Sequence, residues 1–530
     1  MNMKDSLKYL APFVVIIVCV AGSFNVQQEM NRIRVEKKLI DTDIAENAPP
    51  MVVFTTEALG SFRGIVANVL WLYSGKMKDE GNYFEMYQLA SWMVKLQPRF
   101  TGATAYLAWN MAYNISVTFP GFEDRWRWVR RGIELIRDEA LIYNPGDPEL
   151  YKELGWIYQH KMGQELDDAN RYYKLKMAEE MTMVLGDYPI DWERFAAAPT
   201  SREGLDARLG EQVDLATLLE SCGTDFKRLE KEFVAANGVF PETVTATIPA
   251  EQLAEIELCL RSRWLTSRLK LDPGFILTLQ RRYGDLDWRL PEAHAIYWAT
   301  LGLNESDSVV NTSCERMITQ SLANAFRGGR LAYAGSLETF EVTPNIAVVD
   351  AVNQEYLTAI ANQDNRSSFM AGYRNWLIDA TVTLFAFGAE EKAAEYYKKL
   401  QERSTAAEHR VPLVNFVVRE MAGDVSTATF DQAHALVQGF LFQGLRALAI
   451  GDDGRARAFD VLARNIWLKY TQQIGSGRMR DRRKLPPIND MRATMYQRCL
   501  ATFPPDLKAA LQHAMAVAAE EKSEETAPAE

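Results

Sequence analysis

The chain has 530 residues, enough for several hydrophobic cores or one extended repeat array. Its 48% hydrophobic and 24% charged residues are ordinary for a globular protein, and its formal net charge of -11 argues against a dedicated nucleic-acid binder, which carries a basic balance. The cysteines Cys19, Cys222, Cys259, Cys314 and Cys499 are odd in number, far apart and without C-x-x-C spacing, so neither a disulfide framework nor a zinc site follows from them.

Residues 1–8 form a short tail carrying Lys4 and Lys8. The apolar run Tyr9–Phe24, extended to Val26, predicts a transmembrane signal anchor. A cleaved signal peptide with Cys19 and Ala21 at a small-x-small site is the competing reading. The short basic N-terminus favours a body on the extracytoplasmic side of an inner membrane. A bare count that includes Arg32, Arg34, Lys37 and Lys38 favours the reverse. Residues 27–49 read as a charged stalk broken at Ala48-Pro49-Pro50.

Helical periodicity starts near Leu59 and continues through residues 50–186. Leu70, Trp71, Tyr73 and Met77 share one predicted helix, and Phe84 to Gln97 gives a second, ending at Pro98. Thr101 to Tyr113 follows, with Ala105, Ala108 and Ala112 permitting close approach, and then Asp124 to Tyr143. Asp147 is a predicted N-cap, Pro148 suits the first turn, and Glu149 favours the positive end of the helix dipole. The stretch from Tyr151 to Tyr158 reads Y-x-x-L-G-x-x-Y, and Gly155 is expected to let the following helix, with Ala169 and Tyr173 at A-x-x-x-Y spacing, pack closely.

Residues 187–249 are interrupted by Pro and Gly and read as an irregular insertion with short helices such as Phe226 to Ala236. Thr243–Ile248 is the best short strand candidate. Helical repeats resume over 250–335, with helix starts at Leu271-Asp-Pro273 and Leu290-Pro-Glu292. Residues 336–519 give further hairpins: Asn365 to Phe387 with Ala389 to Gln401, Phe430 to Ile450 with Gly454 to Tyr470, and a cap over Met491 to Ala519. Residues 520–530 read as a disordered acidic tail.

Little in the chain points to a reaction. His160, His294, His409, His434 and His513 form no H-E-x-x-H or H-x-H pattern, and no phosphate-cradle or nucleophile-elbow motif occurs, so no metal or cofactor is expected. Asp285, Asp287, Glu292 and His294 are close enough in sequence for an acid-base cluster, which would suit a helical toroid acting on glycans. The structural reading makes them turn, cap and core residues. Glu123–Arg131 interleaves Arg with Trp, and Arg478–Lys484 is a basic run. Helix packing with solvated arginines, and a solvated loop, are the readings preferred over anion, base or headgroup binding.

The Y-x-x-L-G-x-x-Y and A-x-x-x-Y spacings over Asp147–Tyr173 resemble the tetratricopeptide-repeat superfamily, as do Ile65–Pro98 and Trp376–Leu400 more loosely. Through Trp109–Asn114, Tyr143–Asp147 and Asp287–Tyr297 the chain also looks like bacterial membrane-anchored helical-repeat proteins. The resemblance implies an all-α, right-handed stack of antiparallel helix hairpins behind the membrane helix, and protein or peptide binding on its concave face. The expected setting is envelope assembly, secretion or polysaccharide export. In the repeat register Leu154, Gly155 and Tyr158 point inward, while Glu149, Lys152, Trp156, Gln159 and His160, with Trp109 and Tyr113 from the preceding first helix, line the binding face. Oligomeric state is not legible.

Overall fold

The structure is a computed structural model describing residues 62–97, 100–186, 188–210, 213–305, 310–332, 337–361, 366–422, 429–474 and 483–525, and the isolated positions 22, 26, 29, 32 and 33. Apart from Gly22 and Val26, the expected membrane anchor lies outside the described residues, as does most of the stalk. Among the described residues no helix is long and apolar enough to cross a membrane. The chain is all-α, and the one sheet among the described residues is an antiparallel pair, Arg330–Ala332 with Glu341–Thr343, in which Leu331 faces Val342.

Two compact units divide the chain: residues 1–100 with 142–145, and residues 101–141 with 146–530. The described part of the first is a hairpin, Phe62–Asp79 with Tyr83–Leu96. Its turn uses Gly81 at φ +78°, a left-handed conformation that a side chain would strain. Met86, Leu89, Ala90, Met93 and Val94 are buried, whereas Ile65, Val69, Leu72 and Tyr73 line an exposed face of the other helix.

The second unit begins with three rods. Thr101–Trp109, Phe122–Glu134 and Pro148–Trp156 each pass directly into a π-helical turn, at Asn110–Ile115, Leu135–Ala140 and Ile157–Met162. Small residues bring the rods together. A Cβ on Gly132 would stand 2.7 Å from the Ala108 carbonyl oxygen. The third rod starts as the sequence predicts, with Asp147 Oδ1 accepting from Glu149 N at 2.9 Å and Leu150 N at 3.1 Å.

Leu154, Gly155 and Tyr158 do point inward, all buried. The partner at Gly155 is different from the one expected. A Cβ there would meet Met317 Sδ at 2.6 Å, Ala299 N at 3.3 Å and Ala295 O at 3.4 Å. The close approach is therefore to Pro291–Asn304 and Val310–Gly328, not to the following helix Asn170–Leu185. That following helix is tied down through Asp167. This buried carboxylate accepts from Arg125 Nη1 at 2.9 Å, Lys161 Nζ at 2.5 Å, Tyr173 OH at 2.9 Å and Ala169 N at 3.0 Å.

The irregular region expected over 187–249 is built of short helices, including Phe226–Ala235. Asp191, Ser201, Asp214 and Asp225 cap their own helices by accepting from the first free N–H groups. The expected strand Thr243–Ile248 is instead the helix Glu242–Thr247. Pro241 precedes it and Glu242 sits in its positive first turn, while the β-branched residues have no neighbouring strand to pair with.

Beyond the sheet, hairpins form where expected: Arg366–Ala386 with Glu390–Arg403, and Phe430–Ala449 with Asp453–Gln473. Thr429 and Gln432 complete a capping box, and Gly388 and Gly451 make left-handed turns. Ile488–Thr502 and Pro505–Glu525 close a core containing Phe387, Leu441, Tyr470, Met495 and Leu511. The last helix continues to Glu525, into the tail expected to be disordered from Glu520.

Candidate functional site

The π turns position the first candidate site. A π turn inserts one residue into an α-helix and re-aims the side chains that follow. Tyr113 lies in the first of them and His160 in the third. Their rings meet those of Trp109 and Trp156 in a continuous ladder. Tyr106 stacks on Trp109 with centroids 6.1 Å apart, Trp109 on Tyr113 at 5.6 Å, Tyr113 approaches His160 at 5.7 Å, and His160 stacks on Trp156 at 4.4 Å. The Tyr113 hydroxyl and His160 Nδ1 share a 3.2 Å hydrogen bond across the two rods. The ladder is half-buried along its length and open at Tyr106, which is 47% exposed.

Charge surrounds the rings. Lys161 Nζ stands 5.4 Å from the Tyr113 ring centroid. Burial and then the charge of Glu153 push the Tyr113 phenol up. Burial and then Lys161 push the His160 imidazole down, so it is neutral at pH 7. Glu153 is itself pushed up to about 7 by burial, with Glu149 adding to the shift and Lys152 opposing it.

Of the residues predicted for a binding face, Trp109, Tyr113, Trp156 and His160 come together. Glu149 and Lys152 form an ion pair one turn earlier on the same rod. Gln159 does not join them. It follows Gly155 by four residues, falls on the inward stripe, and donates to Met317 O at 3.1 Å from a buried position.

The proposed acid-base set does not converge. Asp285 is an outer residue held by Arg330 at 2.6 Å and by the Tyr188 hydroxyl at 3.2 Å. Asp287 is buried against Arg289 at 2.7 Å and accepts from Leu331 N at 3.0 Å, joining a helix start to the sheet. His294 is a core residue whose Nε2 lies 2.9 Å from Trp288 O, and burial pushes its pKa down to about 4. Glu292 faces a cavity. The Glu123–Arg131 run also resolves structurally: Trp128 is buried, Arg127 and Arg130 face solvent, Arg131 is half-buried, and Arg125 turns in to Asp167.

That cavity, of about 580 Å³, is the second candidate site. Glu292 is buried and its Oε2 has no hydrogen-bond partner. Glu165, Lys174, Asp431 and Arg483 join it in the lining. Burial pushes Glu292 up, and burial followed by the charge of Asp431 pushes Glu165 up to about 9. At pH 7 Glu165 is therefore a neutral carboxyl in the lining, and Glu292 is shifted in the same direction. Sequence reasoning reached Glu292 through its neighbours and Arg483 within the basic run Arg478–Lys484, and missed Glu165, Lys174 and Asp431, because the lining comes from segments hundreds of residues apart. No group of His, Cys, Asp and Glu among the described residues could hold a metal ion.

Fold and sites together describe an all-α protein with an aromatic ladder across two rods and a cavity lined by carboxyl and cationic groups. No family model, curated protein or solved structure matches the chain.

Proposed function

We propose that this chain is a helical scaffold that binds a protein or peptide partner along the Trp109–Tyr113–His160–Trp156 ladder. The supporting observation is the coincidence of that ladder with two π turns. Such turns weaken a helix's regular hydrogen bonding and recur at functional sites. Half-buried aromatic rings beside a cation are also the usual composition of binding hot spots. The tetratricopeptide-like reading, with hairpins stacked into a concave surface, belongs to the same proposal. So does the anchoring of the body to a bacterial inner membrane by residues 9–26, with the body outside the cytoplasm and engaged in envelope assembly, secretion or polysaccharide export.

The test is quantitative co-purification from the native membrane with Trp109→Ala, Trp156→Ala and the double variant. Each single change should weaken capture of a discrete partner on the order of tenfold, about 1.4 kcal/mol, with helicity retained. Full recovery of that partner by a folded double variant would refute the ladder as the binding face. The membrane arm is separate. Full-length protein should resist carbonate extraction and a chain starting near Pro49 should be soluble. Protease added outside the inner membrane should digest the body, and protection would reverse the topology.

A further inference from the structure

We infer that the cavity formed around Glu292 binds a small basic amino acid, a ligand carrying one carboxylate and two cationic nitrogens. The inference starts from which charges in the lining are already satisfied. Arg327 donates to Asp379 Oδ2 from Nη2 at 2.7 Å and from Nε at 3.1 Å, and Gln432 Nε2 donates to Asp379 Oδ1 at 2.7 Å. These three groups complete one another and form a structural wall.

Five further charged side chains line the same space: Glu165, Lys174, Glu292, Asp431 and Arg483. None of them forms an ion pair among the described residues. Acids and bases thus share one cavity without meeting. Burying unmatched charge is costly, and side chains of opposite sign would close on each other if the helices carrying them allowed it. Unpaired, they offer both positive and negative groups to one ligand, as a zwitterion requires. The depth ordering agrees. Glu292, with its unpartnered Oε2, is buried, Lys174 and Glu165 are half-buried, and Asp431 and Arg483 are exposed.

The charge balance selects the kind of zwitterion. When all three carboxyls are ionised they outnumber the two cations by one, so a ligand that carries one net positive charge and displaces the protons they hold leaves the site neutral. A basic amino acid meets that condition, with its carboxylate toward Lys174 and Arg483 and its two cationic groups toward the acids. The cavity, about 580 Å³, is within the ordinary range of small-molecule sites. Because burial holds Glu165 protonated at pH 7, with a pKa of about 9, a cationic ligand that ionises it should release protons to the buffer.

The experiment is isothermal titration calorimetry on the full-length chain in detergent. The probes are L-lysine, n-butylamine, sodium propionate and maltose, with L-lysine repeated in two buffers of different ionisation enthalpy. L-lysine should bind, release protons, and exceed each of the other three by at least about tenfold in affinity. Glu292→Gln and Lys174→Gln, with unchanged circular dichroism, should each weaken L-lysine by about tenfold or more. Equal binding of n-butylamine would make this a plain cation site, and preference for maltose a polyol site, and either overturns the inference. So does the absence of L-lysine binding, or its persistence unchanged in both variants.

Discussion

Two carboxyl groups close in sequence, buried Asp167 and half-buried Glu165, respond to pH in opposite directions. Burial alone would raise the pKa of Asp167, but the charge of Lys161 and hydrogen bonds from Lys161, Ala169 and Tyr173 outweigh it and hold the group below its ordinary value of 3.8. Its stabilising contribution is present above that value and lost as pH falls through the depressed pKa. Asp167→Ala should therefore cost about 3–5 kcal/mol at neutral pH in a denaturant titration, because Arg125 and Lys161 remain buried without their counter-charge. Glu165 behaves in the reverse sense. Its pKa rises from 4.5 to about 9 on folding, so the folded state holds the proton more tightly. Stability from that group is full below 4.5 and declines as pH climbs toward 9. Glu165→Gln should match the parent at pH 4 and exceed it by about 1–3 kcal/mol at pH 8, read as a difference in thermal midpoint. An equal midpoint at pH 8 would contradict the buried-acid account. Neither group was legible in the sequence: Glu165 owes its shift to burial and to Asp431 on a distant segment, and Asp167, although Lys161, Ala169 and Tyr173 are its sequence neighbours, meets them only once the chain has folded around it.

At the scale of elements, most helix boundaries were legible, for local reasons. Asp147-Pro148, Asp272-Pro273 and Thr429 with Gln432 mark starts through side-chain acceptors and proline's preset φ, and Gly388 and Gly451 mark turns. The misassigned strand at Thr243–Ile248 rested on β-branched content alone, which a strand without a partner cannot convert into stability. The three π turns left no signal, because one inserted residue within an apolar stripe does not disturb its period enough to detect. Close helix contacts were half legible. Gly155 was identified as a crossing point, but a glycine does not reveal which helix crosses it. Gly132 offers the sharpest test. Alanine ordinarily gains about 1 kcal/mol over glycine inside a helix. Here its Cβ would meet the Ala108 backbone oxygen at 2.7 Å, and a backbone atom cannot rotate away. Gly132→Ala should be destabilising by about 1–3 kcal/mol, measured by urea denaturation. A gain in stability would mean the two rods are further apart than described.

Over the whole molecule, composition and periodicity were enough to establish an all-α chain. They were not enough to order its packing. The rod at Pro148–Trp156 rests on Pro291–Asn304, more than a hundred residues later in sequence, and only the folded chain reveals that pairing. The aromatic ladder was more accessible. Trp109, Tyr113, Trp156 and His160 share a face because helical spacing repeats on neighbouring rods, and that spacing is present in the sequence. The central claim is that this ladder is where a partner sits. Site-specific photo-crosslinking in intact cells tests it most directly. A benzophenone side chain replaces Tyr106 at the open end of the ladder, and a second variant carries it at the exposed Val239, on another segment of the same unit. The account predicts one discrete adduct from position 106 that is lost when Trp109→Ala and Trp156→Ala are added, and none from position 239. No adduct from position 106, or an adduct that persists unchanged in the ladder variant, would contradict it.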